Sequence, residues 1–300
     1  MDKITIFNIK TKTMLLITLS MVMLSSCRKD DIIDETKMGD FSIEFDHVVG
    51  EDRFYIDPNY LYRNAKGEPF SVRILMYYIS NIKLYKPDGS SYTVPQDDSY
   101  FLVNAADKGT RFTKVKAPEG DYTRIEFMIG VDQERNMMPM ERRTGVLSFN
   151  PGEGHAGMFW TWSQGYIFFK LEGNCDLVSD DVHGDPTGNK QFKYHIGGFG
   201  YPFDDPEAMN NIKIISMDLT KTNTDDIAHV REGLRSNVHL MVDVMKVFNG
   251  PYTFSIAQKP NVMFNKEDSG NIAGNFQSLF THDHTENYVR SEGELSSSKN

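Results

Sequence analysis

The sequence predicts a mainly β protein, a single antiparallel β-sandwich-like domain with few short helices. Apolar and polar residues alternate with a period of two in several stretches, the pattern of strands with one buried face; these are 41–49, 122–131, 166–173, 212–219 and 239–248. Residues typical of turns separate the stretches, at 86–89, 118–120, 197–198 and 249–251. Many short strands divided by turns are typical of a sandwich. Helix is expected only at 78–81, 205–210, 225–232 and 272–280.

The first residues have the composition of a bacterial lipoprotein signal. Three lysines make the start positive, and the apolar run 14–24 is too short to cross a bilayer as a resident helix. Residues 1–26 are therefore expected to be a secretory signal peptide. The run ends in Leu-Ser-Ser-Cys, the pattern of a lipobox, which predicts that Cys27 is the acylated first residue of the mature protein. The alternative is an ordinary signal peptide followed by a coincidental cysteine.

The residues after Cys27 predict a location. In residues 27–40, Cys27 is followed by Arg-Lys-Asp-Asp and few side chains are apolar, so they are expected to form a flexible acidic tether. This tether resembles those that send lipoproteins of some Gram-negative bacteria to the outer membrane, where they are periplasmic or exposed on the cell surface. The lipid anchor would be the only contact with the membrane. No linker rich in Gly, Ser or Pro follows, so one domain is expected at 41–285 and a polar tail at 286–300.

Charge and cysteine content argue against several classes of function. The formal net charge is −10 for the whole chain and −12 without residues 1–26, which carry three lysines and one aspartate. Such an acidic chain has no electrostatic basis for binding nucleic acid. Cys175 is the only thiol besides Cys27, so no disulfide framework is expected. No nucleophile–base arrangement, phosphate-binding glycine loop or zinc-protease motif is present, so the protein is not expected to be an enzyme.

Both tryptophans of the chain, Trp160 and Trp162, lie in the stretch HAGMFWTWSQGY at 155–166. Residues i and i+2 of a strand face the same way, so the two indoles would share a face. They would fill a core if the stretch is an ordinary strand, because aromatic residues are common there. However, His155 and Met158 offer the imidazole and thioether that Cu(I) prefers. Exposed indoles also stack on sugars, so the alternative function is a glycan-binding β-sandwich lipoprotein.

Several blocks of the sequence, taken together, resemble the MbnP-like family. In chain order they are FDHVVG (45–50), YYISNIKL (77–84), PEGDYTRIEFMIGVD (118–132) with Asn136 after it, GMFWTWSQGYIFFKLEG (157–173) and FKYHIGGFG (192–200). The combination is specific although no single block is. The family is named for its association with methanobactin operons, but most members lie elsewhere in genomes and are secreted proteins or lipoproteins. The resemblance implies a copper-binding, mostly β protein outside the cytoplasm.

The resemblance also implies a particular kind of copper site. In the family a tryptophan is oxidised to kynurenine by a partner, a di-haem cytochrome c peroxidase of the MauG-like class. Copper is then bound by histidine imidazoles together with the kynurenine. The residues of this sequence that match the copper site of the family are His47, His195 and one tryptophan. Trp160 is the first choice for this tryptophan and Trp162 the second.

Without the resemblance, His47 would be expected to have a structural role. It lies on the apolar face of its strand, where a histidine is more often part of the core than a ligand, and only the resemblance reverses that expectation. An imidazole that binds metal needs an acceptor for its other N–H. Asp46 and Glu172 are the acids expected to provide one.

Other candidate ligands have weaker support. His282 and His284 lie at i and i+2, a spacing that can bind metal on an extended segment, but in a polar segment such residues are usually solvated. The methionines within 137–140 resemble copper-handling clusters, although methionine also fills gaps in cores. His239 has no partner nearby in the sequence. We therefore expect a non-enzymatic copper-binding lipoprotein whose site includes His47, His195, His155 and Met158 as candidate ligands.

Overall fold

The computed structural model describes residues 33–150, 156–160, 165–179 and 190–289. From Asp34 onward these residues belong to one compact unit. The predicted signal peptide, Cys27 and the part of the predicted tail from 290 onward lie outside the described residues. Within the described ranges, no helix has both the length and the apolar character needed to cross a membrane.

Strands provide most of the regular structure. They are β1 (Met38–Val49), β2 (Asp52–Arg53), β3 (Tyr62–Arg63), β4 (Pro69–Tyr85), β5 (Ser91–Thr93), β6 (Tyr100–Asn104), β7 (Phe112–Pro118), β8 (Gly120–Tyr122), β9 (Arg124–Ile129), β10 (Ile167–Asn174), β11 (Gln191–Gly197), β12 (Lys213–Asp218), β13 (Ala228–Val230), β14 (Leu234–Asp243), β15 (Asn261–Val262) and β16 (Phe280–Val289). The α-helices of the described residues are α1 (Gln133–Met137), α2 (Lys246–Asn249) and α3 (Lys266–Leu279). Short 3₁₀ turns span Gln96–Asp98, Lys108–Arg111, Met140–Arg142 and Gly145–Leu147.

Two main sheets pack against each other. The smaller has the strand order β16-β14-β1-β2, with β7 paired along the first part of β1. The larger has the order β12-β9-β4-β10-β11-β15, and β3, β5 and β6 pair with further parts of β4. The ring of Phe45 on β1 lies 6.0 Å from the ring of Tyr77 on β4 and 5.6 Å from the ring of Phe127 on β9. The main core therefore lies between the two sheets, as in a sandwich.

The predicted fold class is confirmed, because the molecule is mainly β and its sheets pack as a sandwich. Most neighbouring strands are antiparallel, but β1 pairs with β14 in parallel, and so does β11 with β15. Alternation specifies which side of a strand is buried and not the direction of its neighbour. The two parallel pairings were therefore outside what the pattern could predict.

Three of the four predicted helices are wrong. Residues 78–81 lie inside β4, whose backbone pairs with strands on both sides. The strand is locally irregular there, because Asn81 has a φ of 51° and the register with β9 shifts beside it. Residues 205–210 form turns, and 225–232 contain β13. In 78–81 and 225–232, pairing with neighbouring strands outweighed the local preference.

The fourth predicted helix, 272–280, is present as the second half of α3. This helix begins after Asn265, whose side chain accepts a hydrogen bond from a backbone N–H of the first turn. Its buried residues Ile272, Phe276 and Leu279 follow the i, i+4, i+7 spacing of one helical face. The helix covers one end of the main core, and β16 follows it directly.

The ordered strands pass both boundaries that the sequence suggested for the domain. β1 begins at Met38, inside the predicted tether, because its first residues pair with β7. β16 continues to Val289, beyond 285, and pairs there with Leu234 of β14.

A second apolar cluster covers the outer face of the larger sheet. Strand residues alternate between faces, so Tyr77 enters the main core while Met76 and Tyr78 point to the opposite side. Loop residues pack over them there. This outer cluster contains Met76, Tyr78, Leu102, Val131, Leu147, Met158, Trp160, Tyr166, Ile167, Phe168 and Phe199.

Candidate metal-binding residues

His47 lies at the edge of the main core. Its side chain continues the buried face of β1, and the residue is 7% exposed. A hydrogen bond of 2.9 Å joins its Nε2 to the hydroxyl of Tyr77, and its ring lies 5.4 Å from the ring of Phe54. Burial lowers the pKa of His47 to about 3, and the nearby Arg111 guanidinium adds to the effect. His47 is therefore a neutral imidazole at physiological pH.

This buried imidazole predicts a pH dependence of stability. In the unfolded chain His47 takes up a proton below about 6.5, whereas in the folded protein it stays neutral down to about 3. Unfolding therefore binds a proton in this window, and stability falls as the pH drops from 6.5 toward 3. Urea unfolding at several pH values gives the free energy of unfolding of the parent and of His47→Gln, whose residue 47 cannot titrate. In that window, the change of this free energy with pH is expected to differ between the two by about 1.4 kcal/mol per pH unit. Equal slopes would show that His47 is protonated in the folded state.

His195 lies on β11 and faces away from the main core. Its neighbours Tyr194 and Ile196 are fully buried in that core, so the side chain between them points to the outer face of the sheet. There its Nε2 lies 2.8 Å from Oε1 of Glu172. The same carboxylate oxygen lies 3.6 Å from Nζ of Lys170. All three polar side chains are largely shielded, with 11–15% of each exposed.

The contact with Glu172 orients the imidazole of His195. The hydrogen bond from His195 lowers the pKa of Glu172, so this carboxyl is ionised at neutral pH. An ionised carboxylate only accepts hydrogen bonds, so Nε2 of His195 donates, and in the neutral imidazole the lone pair is on Nδ1. Metal-binding histidines commonly have this arrangement. Of the two acids considered from the sequence, Glu172 makes the contact, while Asp46 lies 3.3 Å from Nη2 of Arg111.

The structure does not bring His47 and His195 together. Phe169 pairs with Tyr77 on one side and with Ile196 on the other, so these three residues share the core face of the larger sheet. His47 contacts Tyr77 on that face, whereas His195 lies on the opposite face. The backbone of the sheet separates the two imidazoles, so one metal ion cannot bind both.

Trp160 begins a tight hairpin that packs on the outer face of the sheet. Its backbone N–H donates to the carbonyl of Gly165 at 3.1 Å, and the N–H of Ile167 donates to the carbonyl of Met158 at 2.9 Å. Trp162, two positions later in the sequence, is outside the described residues.

Asn136 fixes this hairpin in place. Its Nδ2 donates to the carbonyls of Val131 and Asp132 at 2.8 and 3.0 Å, and its Oδ1 accepts from the backbone N–H of Tyr166 at 3.2 Å. Gly165 has a φ of +73°, and a Cβ there would lie 2.2 Å from the Asn136 oxygen. Asn136 was recognisable from the sequence only through the family resemblance, and the role of Gly165 was not predicted. The feature of the sequence that could have indicated Gly165 is the Gln-Gly pair after the tryptophans.

The indole of Trp160 lies against Gly197, two residues after His195 on β11. A Cβ at Gly197 would lie 2.5 Å from Cζ3 of Trp160, so only glycine leaves room for the ring. Residues i and i+2 of a strand share a face about 7 Å apart. Trp160 and His195 are therefore neighbours on the outer face. The ring centroid of Phe264 lies 4.8 Å from that of Trp160.

The remaining predicted residues have different positions. Met158 is fully buried in the outer cluster beside Trp160. His155 lies outside the described residues, as Trp162 does. Trp160 is only 6% exposed, so its faces are covered by the protein. A glycan-binding surface needs an open indole, which Trp160 does not offer.

The comparisons with known proteins agree with this architecture. The family model for MbnP matches residues 38–264. The chain belongs to the MbnP family. The resemblance described from the sequence is thereby confirmed.

A solved structure of the family shows the same fold. MbnP from Methylosinus trichosporium aligns with a TM-score of 0.50 and 13% sequence identity, over 84% of this chain and 100% of that chain. At this identity the likeness concerns the fold alone. No curated protein matches the chain.

Proposed function

We propose that this MbnP family member is a non-enzymatic copper-binding protein that acts in copper binding or acquisition. The site is proposed on the outer face of the larger sheet, around His195 and a modified Trp160. The observation that supports it is the contact between the Trp160 ring and Gly197, which places the indole beside His195.

The donor chemistry of these two residues explains why modification is needed. His195 can offer the lone pair of Nδ1 because Nε2 is held by Glu172. The indole of Trp160 has an N–H donor and no lone pair for a metal. Oxidation to kynurenine opens the indole and exposes an aniline nitrogen and a ketone, both of which have lone pairs. The packed indole thus becomes a ligand next to an oriented imidazole.

We infer that a di-haem cytochrome c peroxidase of the MauG-like class catalyses this oxidation. Two equivalents of peroxide supply two oxygen atoms to the C2 and C3 atoms of the indole and leave as two waters, and the bond between these carbons breaks. Hydrolysis then removes the formyl group as formate and leaves kynurenine. The net change is the loss of one carbon and the gain of one oxygen.

The remaining ligands are proposed from the sequence. His155 lies five residues before Trp160 and supplies a second imidazole on the same segment. Met158, buried beside Trp160, provides a thioether in the same apolar surroundings, a donor suited to copper. Trp162 is the second choice for the modified residue. His47 lies on the other face of the sheet and has no place in this ligand set.

Imidazole and thioether ligands predict selectivity for copper over hard cations. Calcium and magnesium prefer cages of oxygen ligands. Equilibrium dialysis of the modified full chain against equal concentrations of copper, calcium and magnesium is expected to leave copper bound and the other two ions at background. Retention of calcium equal to that of copper would contradict the proposed function.

The protein is proposed to be an outer-membrane lipoprotein, periplasmic or exposed on the surface, anchored through Cys27. Replacing Cys27 by serine removes the thiol that accepts the lipid. The Cys27→Ser variant is expected to lose membrane association and keep its folded domain, as measured by cell fractionation and circular dichroism. If Cys27→Ser still fractionates with membranes, the anchor is elsewhere.

A further inference from the structure

A cluster of metal-binding side chains lies on the outer face of the smaller sheet, away from Trp160. β14 and β16 pair so that His239 is opposite His284 and Leu240 is opposite His282. Asp283 is thus the extra residue of a β-bulge. A bulge turns two successive residues of one strand toward a single residue of its partner. Asp283 and His284 therefore both reach His239.

The i, i+2 histidine pair noted in the sequence is separated by this bulge. His282 is 6% exposed, and its Nε2 lies 2.9 Å from the hydroxyl of Thr285. His284, by contrast, has a ring centroid 4.8 Å from that of His239. The partner of His284 is thus a residue more than forty positions earlier in the chain.

We propose that His239, Asp283 and His284 form a binding site for a divalent transition-metal ion such as Zn²⁺. This site is independent of the copper site proposed above. Two imidazole nitrogens and one carboxylate oxygen are a common ligand set for such ions.

The distances among the three ligand atoms match a coordination sphere. Asp283 Oδ2 lies 2.9 Å from Nδ1 of His284 and 3.1 Å from Nδ1 of His239, and the two Nδ1 atoms are 3.4 Å apart. Bonds of about 2.0–2.2 Å to zinc place neighbouring ligand atoms about 2.9–3.5 Å apart in octahedral or tetrahedral geometry. The side chains therefore need little movement to bind an ion.

A fourth residue supports the orientation of His284. Its Nε2 lies 3.3 Å from Oε1 of Glu286. When Nε2–H donates to this carboxylate, the lone pair of the neutral ring is on Nδ1 and points at Asp283 and His239. The lone pairs of His284 Nδ1 and of the Asp283 carboxylate then face the same space as His239 Nδ1, and a cation is needed there to offset their repulsion. That cation is either a metal ion or a proton on the imidazole.

Solvent can reach the site. The side chains of His284 and Asp283 are 45% and 49% exposed, while His239 is 15% exposed. A metal ion can therefore enter without unfolding, and water can complete its coordination, as in zinc sites with an open position.

Calorimetric titration of the full chain with Zn²⁺ alone at pH 7.5 tests the proposal. We expect one site, weakened more than about 100-fold in Asp283→Asn and in His284→Ala, because loss of a ligand exceeds the ~10–100-fold effect of an outer-shell change. Co²⁺ in place of zinc should give visible absorption bands of nitrogen and oxygen ligation that disappear in the same variants.

Two control variants distinguish this site from a single surface histidine and from the copper site. His229→Ala removes a partly exposed histidine that contacts a carboxylate, Asp121, at 2.7 Å but has no second imidazole facing it among the described residues; zinc binding should be unchanged. His195→Ala should lose copper and keep zinc, while Asp283→Asn should do the reverse. Absence of zinc binding in the parent, or equal binding in Asp283→Asn and the parent, would overturn the proposal and leave only the contacts among His239, Asp283 and His284.

Discussion

Co-expression with a di-haem cytochrome c peroxidase of the MauG-like class is expected to raise the copper affinity of this protein more than about 100-fold. It should also add about 4 Da to one tryptic peptide, because covalent conversion to kynurenine removes one carbon and adds one oxygen. Without the peroxidase, Trp160 stays an indole with no lone pair for the metal, and copper should bind weakly. Mass spectrometry of the peptide that contains Trp160 and copper competition titrations measure the two effects.

Two matched variants locate the modified residue. Trp160→Phe keeps an aromatic ring against Gly197 and should abolish both the mass change and the gain in affinity. Trp162→Phe should retain both. The hypothesis fails if the unmodified protein binds copper as tightly as the modified one. A mass change that persists in Trp160→Phe and disappears in Trp162→Phe would move the ligand to Trp162.

His195→Ala is expected to weaken copper binding by more than about 100-fold in the modified protein, while His47→Gln leaves it unchanged. The larger sheet separates the two imidazoles, and only His195 shares a face with Trp160. Glu172→Gln keeps the size of the side chain and removes the charge that holds Nε2 of His195, so it should cost about 10–100-fold. Copper competition titrations measure all three variants.

The two histidine variants also test the placement of the site. Circular dichroism and urea unfolding should show both variants folded, since His195 lies outside the main core and glutamine keeps a partner for Tyr77 in the other. Loss of copper in His47→Gln, with His195→Ala like the parent, would place the metal on the core face instead. If neither variant loses copper binding, the metal lies away from both histidines.

The sequence alone determined the class of fold. The alternation in 41–49 predicts that Phe41, Ile43, Phe45 and His47 share a buried face, and the structure places these four side chains in or at the main core. Alternation is reliable because the side chains of a strand leave its two faces in turn whatever the neighbours are. The family resemblance also came from the sequence, because its blocks keep their order along the chain.

The residues around the tryptophans were found from the sequence only in part. The Trp160 stretch left a core strand, a copper site and an exposed sugar-binding face open, and the structure shows that the Trp160 indole is buried against Gly197. The hydrogen bond that Asn136 accepts from the backbone N–H of Tyr166 joins segments thirty residues apart. No local pattern contains such a contact, so Asn136 could be recognised only through the family.

Only the tertiary structure decided which histidines meet. The alternation along a strand shows which of its residues share a face. The packing of the sheets decides which faces of different strands lie against each other. His47 and His195 are therefore on opposite sides of one sheet, although each matches the family. The expected pair of His282 and His284 is separated by the bulge at Asp283, because one extra residue shifts the register by one and exchanges the two faces of the strand. His284 therefore meets His239 instead.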